Sequence, residues 1–551
     1  MSSASEEQGA SCIDSISLMA LAQALKSRLQ RDVKHVQVEG LENILLSSMM
    51  DVRDILNQRR PVIHRLPVEL LRQIFYLVPR YETSSSDGLT LWTSPFLRRP
   101  DCIHLMKICR YWRRVVLDDS LIWNNVCNFT PPASLQEARH TEAILYLKSR
   151  PKHDLETVLY NDMEKIRELR WEHAHKLPAT YLRAPAPILR SLAISAGRPS
   201  VYNALTEKGQ KLFDGHTPSL RQLALHFVRS LPSNDFSNLS QLYLYRCTQI
   251  DPARLLAWLA ASPRIEDLVL VGVSFSSEWD RNYCPTNDLH HFRRLAIKEI
   301  KEEDVAWLLT TPALTEETAV LLENVPLMAE SETTVIPHYP ATQNVTRLAI
   351  WHNYGSTFLM AVSPSTGLRQ QSRVAPDGPS IHSQVLSRIP LINIIEFWCI
   401  SMSVSGMDID VRLLLTTMPA LTTLVVDEID LPRVISVLAP PIKNDRHAMQ
   451  VACPNLTILH VVIWRHRDAQ EILESLDALL TDRKRAGYPL ERLILHSNPN
   501  DMSSRDPRGS FSGIKSEWRR HREWMSFNLE MPEVCARPAH RHWPAWSVFK
   551  T

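Results

Sequence analysis

Three groupings of residues in this chain carry side chains that could do chemistry. Cys102, His104 and Cys109 offer soft ligands within one short stretch. A zinc site would need a fourth ligand of comparable spacing, so an incidental cluster is the better reading. Glu302, Glu303 and Asp304 form an acidic run that could pair carboxylates for acid–base work. They stand where a helix should begin, and negative charge there suits the positive end of the helix dipole. From Glu517 to Trp524, Trp518 and Trp524 are interleaved with Arg519, Arg520 and Arg522, a composition able to stack on and neutralise single-stranded nucleic acid. Glu517, Glu523, Glu530 and Glu533 dilute that charge, and a cap on the preceding domain is the better reading. The 14 glycines form no phosphate-cradling or nucleophile-elbow motif. The chain is read as not an enzyme, with no cofactor and no metal.

Composition narrows the class further. The 62 basic and 60 acidic side chains balance, so no global field favours nucleic acid or an anionic membrane. Nine dispersed cysteines, none in Cys-x-x-Cys spacing, fit a reducing compartment without a disulfide framework. Glu6 and Glu7 stand where a signal peptide would be basic, and no window approaches the roughly 18 to 20 apolar residues of a membrane span. A cytoplasmic and/or nuclear protein without a membrane partner is expected.

The elements that must position any function are helical at first. Residues 1–12 are small and polar and are expected to be disordered. Residues 13–60 form an amphipathic helical arm, with Leu18, Leu21, Leu25, Leu29, Leu41, Leu45, Met49, Val52 and Leu56 at helical spacing. The arm is either a short coiled coil, and hence a dimerisation element, or helices packed beside the next domain.

That domain, residues 61–128, opens Leu66-Pro67 and continues Glu69-Leu70-Leu71 with Ile74 and Phe75. It closes Cys109-Arg110-Tyr111-Trp112-Arg113 and Leu121-Ile122-Trp123. Pro67 suits the start of a helix and Glu69 its first turn. Two short helices hardly bury so many large apolar groups against each other, which is what a docking module would show. These separated signatures, in this order, resemble an F-box. The polar, Ser-rich insertion 80–100 departs from the compact family pattern. Together with the helical arm it resembles F-box proteins of mushroom-forming fungi. The resemblance implies a Skp-type adaptor as partner and, through it, a cullin–RING ligase. The adaptor-binding residues it implies are Leu66, Pro67, Glu69, Leu70, Leu71, Ile74, Phe75, Cys109, Trp112, Leu121 and Trp123.

Residues 129–496 follow another rhythm. The template Leu-x-x-Leu-x-Leu, other aliphatics allowed, recurs from Leu189/Leu192/Ile194 through Leu239/Leu242/Leu244 and Ile392/Ile395/Phe397 to Leu421/Leu424/Val426, Leu456/Leu459/Val461 and Leu490/Leu493/Leu495. Intervals run from 19 residues (Leu223 to Leu242) to 53 (Leu295 to Leu348). Each copy offers a strand followed by a returning helix, and neighbours must stack to bury the leucines. The expected fold is α/β: a helical arm and F-box, then an irregular solenoid resembling leucine-rich repeats, with a loop inserted at 363–380. Residues 497–551 form a C-terminal cap or tail. On the strand face opposite the leucines stand Tyr243, Tyr245, Trp351, Trp398 and His460, the candidate substrate-binding residues. Either they are open for recognition or other segments cover them.

The resulting expectation is a substrate-recognition subunit of a Skp–cullin–F-box ubiquitin ligase, with an unknown protein as substrate. The alternatives are a non-ligase scaffold that binds the adaptor and a nucleic-acid-binding protein, although nucleic acid is not expected.

Overall fold

A computed structural model describes residues 38–59, 66–77, 99–119, 125–127, 142–148, 161–172, 181–196, 211–276, 291–310, 314–325, 340–353, 356–373, 389–401, 410–440, 451–464, 469–497, 514–520, 529–540 and 542–547, with single positions between them. Residues 1–12, most of the expected insertion (80–98), Leu121, Trp123, residues 374–380, Arg522 and Trp524 lie outside the described residues. Internal contacts divide the chain into two units, residues 1–80 with 97–122, and residues 81–96 with 123–551.

The first unit is helical, with α1 (Val38–Arg59), α2 (Val68–Leu77), α3 (Arg99–Ile108) and α4 (Arg110–Leu117). The Pro67 carbonyl accepts the N–H groups of Leu70 and Leu71, both at 3.1 Å, so this residue starts α2 without spending a donor of its own. Helix α3 begins at Arg99, inside the expected insertion. Cys109 separates α3 from α4 with an extended backbone (φ −161°, ψ 170°).

Among the described residues the second unit forms an open sheet of 17 strands. Its strands are β1 (Asn125–Cys127), β2 (Ala143–Lys148), β3 (Ile166–Glu172), β4 (Ser191–Ser195), β5 (Gln222–His226), β6 (Gln241–Tyr245), β7 (Asp267–Val271), β8 (Arg294–Lys298) and β9 (Ala319–Glu323). They continue as β10 (Arg347–Asn353), β11 (Ser356–Val362), β12 (Gly367–Arg373), β13 (Glu396–Ser401), β14 (Thr423–Asp427), β15 (Ile458–Val462), β16 (Arg492–Ser497) and β17 (Lys515–Arg520). In space β1 to β9 follow one another, then β12, β11 and β10, then β13 to β17. Every pairing is parallel except the two made by β11.

Register explains the leucine template. Leu192, Leu223, Leu242, Leu268 and Leu295 are cross-strand partners in one row, continued on the other half by Leu348, Phe397, Leu424, Leu459 and Leu493. All ten are buried. On this face they pack with residues of α5 (Pro252–Ala261), α6 (Glu302–Thr310), α7 (Val411–Thr416), α8 (Leu431–Leu438) and α9 (Ala469–Arg485). Asp251 caps α5 by accepting the Ala253 N–H at 3.0 Å, and Glu302, Glu303 and Asp304 open α6. Buried Arg483 on α9 donates to the carbonyls of Leu438 at the end of α8 (3.1 Å), Ala452 (3.2 Å) and Cys453 (2.9 Å), satisfying acceptors at a helix end and in the following loop. The first residues of β5 to β8 bond in sequence. Gln222 donates to Gln241 at 2.9 Å, Gln241 donates to Asp267 at 2.9 Å, and Arg294 pairs with Asp267.

Four sequence expectations change. The copy read as Ile392/Ile395/Phe397 is instead Ile394/Phe397/Cys399; Ile392 and Ile395 are 61% and 38% exposed, whereas Ile394 is fully buried. Apolar residues on both sides of the turn before β13 made the register ambiguous. The expected loop 363–380 contains β12, whose Arg369, Gln370 and Ser372 are buried, so an interior strand of polar residues escapes any hydrophobic period. The long interval from Leu295 to Leu348 hides β9, and the interval from Leu348 to Phe397 hides β11 and β12. The sheet also runs past both expected limits, from β1 before residue 129 to β17 after residue 496.

One buried acid gives a pH-dependent expectation. Asp427, at the end of β14, accepts the N–H groups of Asp430 (3.1 Å) and Ser401. Burial, seconded by the Asp430 carboxylate, outweighs these bonds and pushes its pKa up to about 7. A raised acid favours the fold when protonated, so its contribution is present below the unfolded value and is lost as pH rises towards 7. For Asp427→Asn, the melting temperature relative to the parent should therefore become more favourable from pH 4 to pH 8. A difference independent of pH would contradict this.

Candidate functional site

Two surfaces carry the residues singled out by sequence. On the first unit, Leu71, Phe75, Leu105, Trp112, Val115 and Val116 form a buried core, with the Phe75 and Trp112 rings 4.7 Å apart. Leu71, Phe75 and Trp112, expected on the docking surface, are thus interior. Positions 71 and 75 are four apart and share one helical face, which turns inward, whereas Leu70 falls outside it. Cys109 is also structural, because its Sγ accepts the Trp112 N–H at 3.4 Å and caps α4. Sequence reasoning passed over Asp119, which is buried, accepts from Tyr76 Oη at 2.7 Å and lies 3.5 Å from Arg72 Nε. Burial and that carboxylate push the Tyr76 hydroxyl pKa upward.

What remains outside mixes charged residues with several large aliphatic ones. Pro67 and Glu69 are exposed, Leu66 and Ile74 are half-buried, and Leu70 is 46% exposed. Ile108 and Leu117, at the ends of α3 and α4, are 55% and 56% exposed. Neither was among the sequence candidates, although exposure of a large aliphatic residue beside a small filled core is the signal of a docking face. Along α1, Ile44, Met49, Val52 and Ile55 are also exposed, while Leu18, Leu21, Leu25 and Leu29 of the expected arm lie outside the described residues. Asp51 of α1 does pair with Arg110 at 3.2 Å.

On the second unit, the sheet face opposite the leucines is covered. Tyr243, Trp351, Trp398 and His460 are buried, and only Tyr245 of the five candidates is half-exposed, so of the two alternatives, open or covered, the covered one is found. Over Tyr243, Trp351 and Trp398 the cover is the C-terminal segment 529–547. Leu529, Cys535, Trp543 and Trp546 are buried in one cluster with Ala193, Ala224, Tyr243, Ala296, Ala349 and Trp398. Its short helix α10 (Glu533–Ala536) starts after Pro532. The Trp543 indole donates to the Val534 carbonyl at 2.9 Å and the Trp546 N–H to the Cys535 carbonyl at 2.9 Å. The Tyr243 hydroxyl lies 2.8 Å from His542 Nε2, and Glu530 pairs with Arg347. Burial, with Arg294 and Lys298 nearby, pulls the His540 pKa down to about 4.

At the far end of the sheet, His460 Nδ1 is 3.3 Å from His496 Nε2, and burial lowers the His460 pKa to about 4. Arg519 and Arg492 both bond Glu517, at 3.0 and 2.9 Å, and hold its pKa down to about 2. Trp518 packs against the leucine core. Among the described residues no group of three His, Cys, Asp or Glu is placed to hold a metal ion, and no helix is long and apolar enough to cross a membrane.

Residues 63–128 match the F-box-like family. Compared over its length with curated proteins, the chain matches none. It therefore carries an F-box-like domain, a kind of domain that binds Skp-type adaptors in ubiquitin ligases, and the helical unit just described supplies most of it.

Proposed function

We infer that this chain is the substrate-recognition subunit of a Skp–cullin–F-box ubiquitin ligase. The observation that carries this reading is the F-box-like match at residues 63–128, where aliphatic side chains stay exposed beside a filled core. In this reading α2 to α4 hold the adaptor, and the sheet, a leucine-rich-repeat-like solenoid, holds a protein substrate. The repeat reading is supported by the single leucine row and by helices packed on that row's face. The chain performs no bond chemistry. It raises the effective concentration of substrate beside the charged ubiquitin-conjugating enzyme.

A second reading, an adaptor-binding scaffold that delivers no substrate, is favoured by one observation: the strand face is already occupied by the chain's own C-terminal segment. A nucleic-acid role has less support, because Glu517 is paired with both Arg492 and Arg519.

Replacing Leu66 and Pro67 together by Ala should lower adaptor recovery in a pull-down at least about tenfold, since burying one large apolar side chain is worth roughly 1.5–3 kcal/mol. Undiminished recovery would sink the adaptor assignment. Cullin recovered with the adaptor supports the ligase, and adaptor without cullin supports the scaffold.

A further inference from the structure

We propose that the sheet face beneath residues 529–547 is a peptide-docking surface, that the C-terminal segment is its intramolecular occupant, and that its partner in trans is a peptide presenting two tryptophans three residues apart. The inference rests on the recognition role inferred above for the sheet and names the class of ligand for it.

The face is shaped for indoles. Ala193 and Ala224 are neighbours in one cross-strand row that runs on through Tyr243, Val269, Ala296, Leu321, Arg369 and Met360 to Ala349 and Trp398. A parallel sheet buried on both faces is ordinarily rich in branched aliphatics, and alanines at aligned positions leave room for large rings from elsewhere. Trp543 and Trp546 enter the same cluster and are 0% and 3% exposed. Gly367 on β12 is part of the seat, because a Cβ there would stand 2.9 Å from the Trp546 ring.

The occupant is attached in a way that suits exchange. The backbone hydrogen bonds that shape it close within the segment, as from Cys535 to Pro532 and from Trp543 to His540. Among the described residues it pairs with no strand of the sheet. Side chains hold it instead: Leu529, Cys535, Trp543 and Trp546 are buried in one cluster with the sheet, His542 meets Tyr243 on β6, and Glu530, itself 79% exposed, pairs with Arg347 on β10. Such a tether competes with a free peptide by being always nearby, and the apparent affinity for the peptide is reduced by the fraction of time the face is open. Loosening the tether should therefore expose the peptide site without altering the sheet.

The test uses the full chain and a fluorescent synthetic peptide of residues 529–547. Trp543→Ala with Trp546→Ala should raise peptide affinity at least about tenfold over the parent by emptying the face. Adding Gly367→Val to that double variant should abolish the gain, because the seat is then filled from the sheet side. Alkylation of Cys535, followed by mass spectrometry, reports release of the segment, and buried Cys247, Cys399 and Cys453 report on the fold. Selective labelling of Cys535 together with peptide binding is the expected result. If the double variant leaves Cys535 as protected as the other three, or exposes all four together, the segment is a fixed part of the domain and the proposal falls. It falls equally if Cys535 opens alone and no peptide binds. These measurements need no adaptor, so peptide binding without adaptor recovery would leave the docking face standing and remove only the ligase reading.

Discussion

Leu70→Asp combined with Ile108→Asp is expected to abolish capture of a Skp-type adaptor while leaving thermal unfolding unchanged. Both side chains are about half exposed in the free chain, at 46% and 55%, and substitutions at such positions usually cost little stability. In a complex each would forfeit about half of the roughly 1.5–3 kcal/mol that full burial supplies, and each carboxylate would add a desolvation cost of about 1–3 kcal/mol. The sum exceeds about 3 kcal/mol, or more than a hundredfold in affinity. Titration calorimetry with purified adaptor and a melt of the variant check the two halves. Phe75→Ala supplies the contrast. Its ring is fully buried against Trp112, so it should cost about 3–5 kcal/mol and unfold the helical unit before any question of binding arises. Adaptor affinity that survives the double Asp variant would place the docking surface away from α2 and α3.

Leu459→Ala should destabilise the whole sheet unit rather than one strand. Leu459 is fully buried between its register partners Leu424 and Leu493, so the void opens to both neighbours. A Leu→Ala change at such a site costs about 2–5 kcal/mol. In a stacked array stability is shared through neighbouring interfaces, so β14 and β16 lose support as well. At about 2–4 °C per kcal/mol for large domains, the melting temperature should fall by roughly 5–15 °C in a calorimetric scan. An unchanged melt and protease pattern would mean that the inward row is misassigned.

Local pattern carried much of this protein. The period of α2, its prolyl start and the period of α4 are each encoded within a few residues, so these helices were legible, whereas the break at Cys109 appeared only in the structure. The same holds for the leucine rows, because strand alternation ties Leu242 to Leu244, and Leu459 to Val461, whatever lies around them. Which of two adjacent leucines, Leu70 or Leu71, stays exposed was decided by where Trp112 and Val116 packed. Strand β12 emerged only in the fold, since Arg369 and Gln370 are interior through their neighbours and not through their own chemistry. The aromatic strip on the second face was visible as alternation, but its burial was not. Its cover joins Tyr243 to His542 across 299 residues, and no period in the sequence reports a contact between segments that distant.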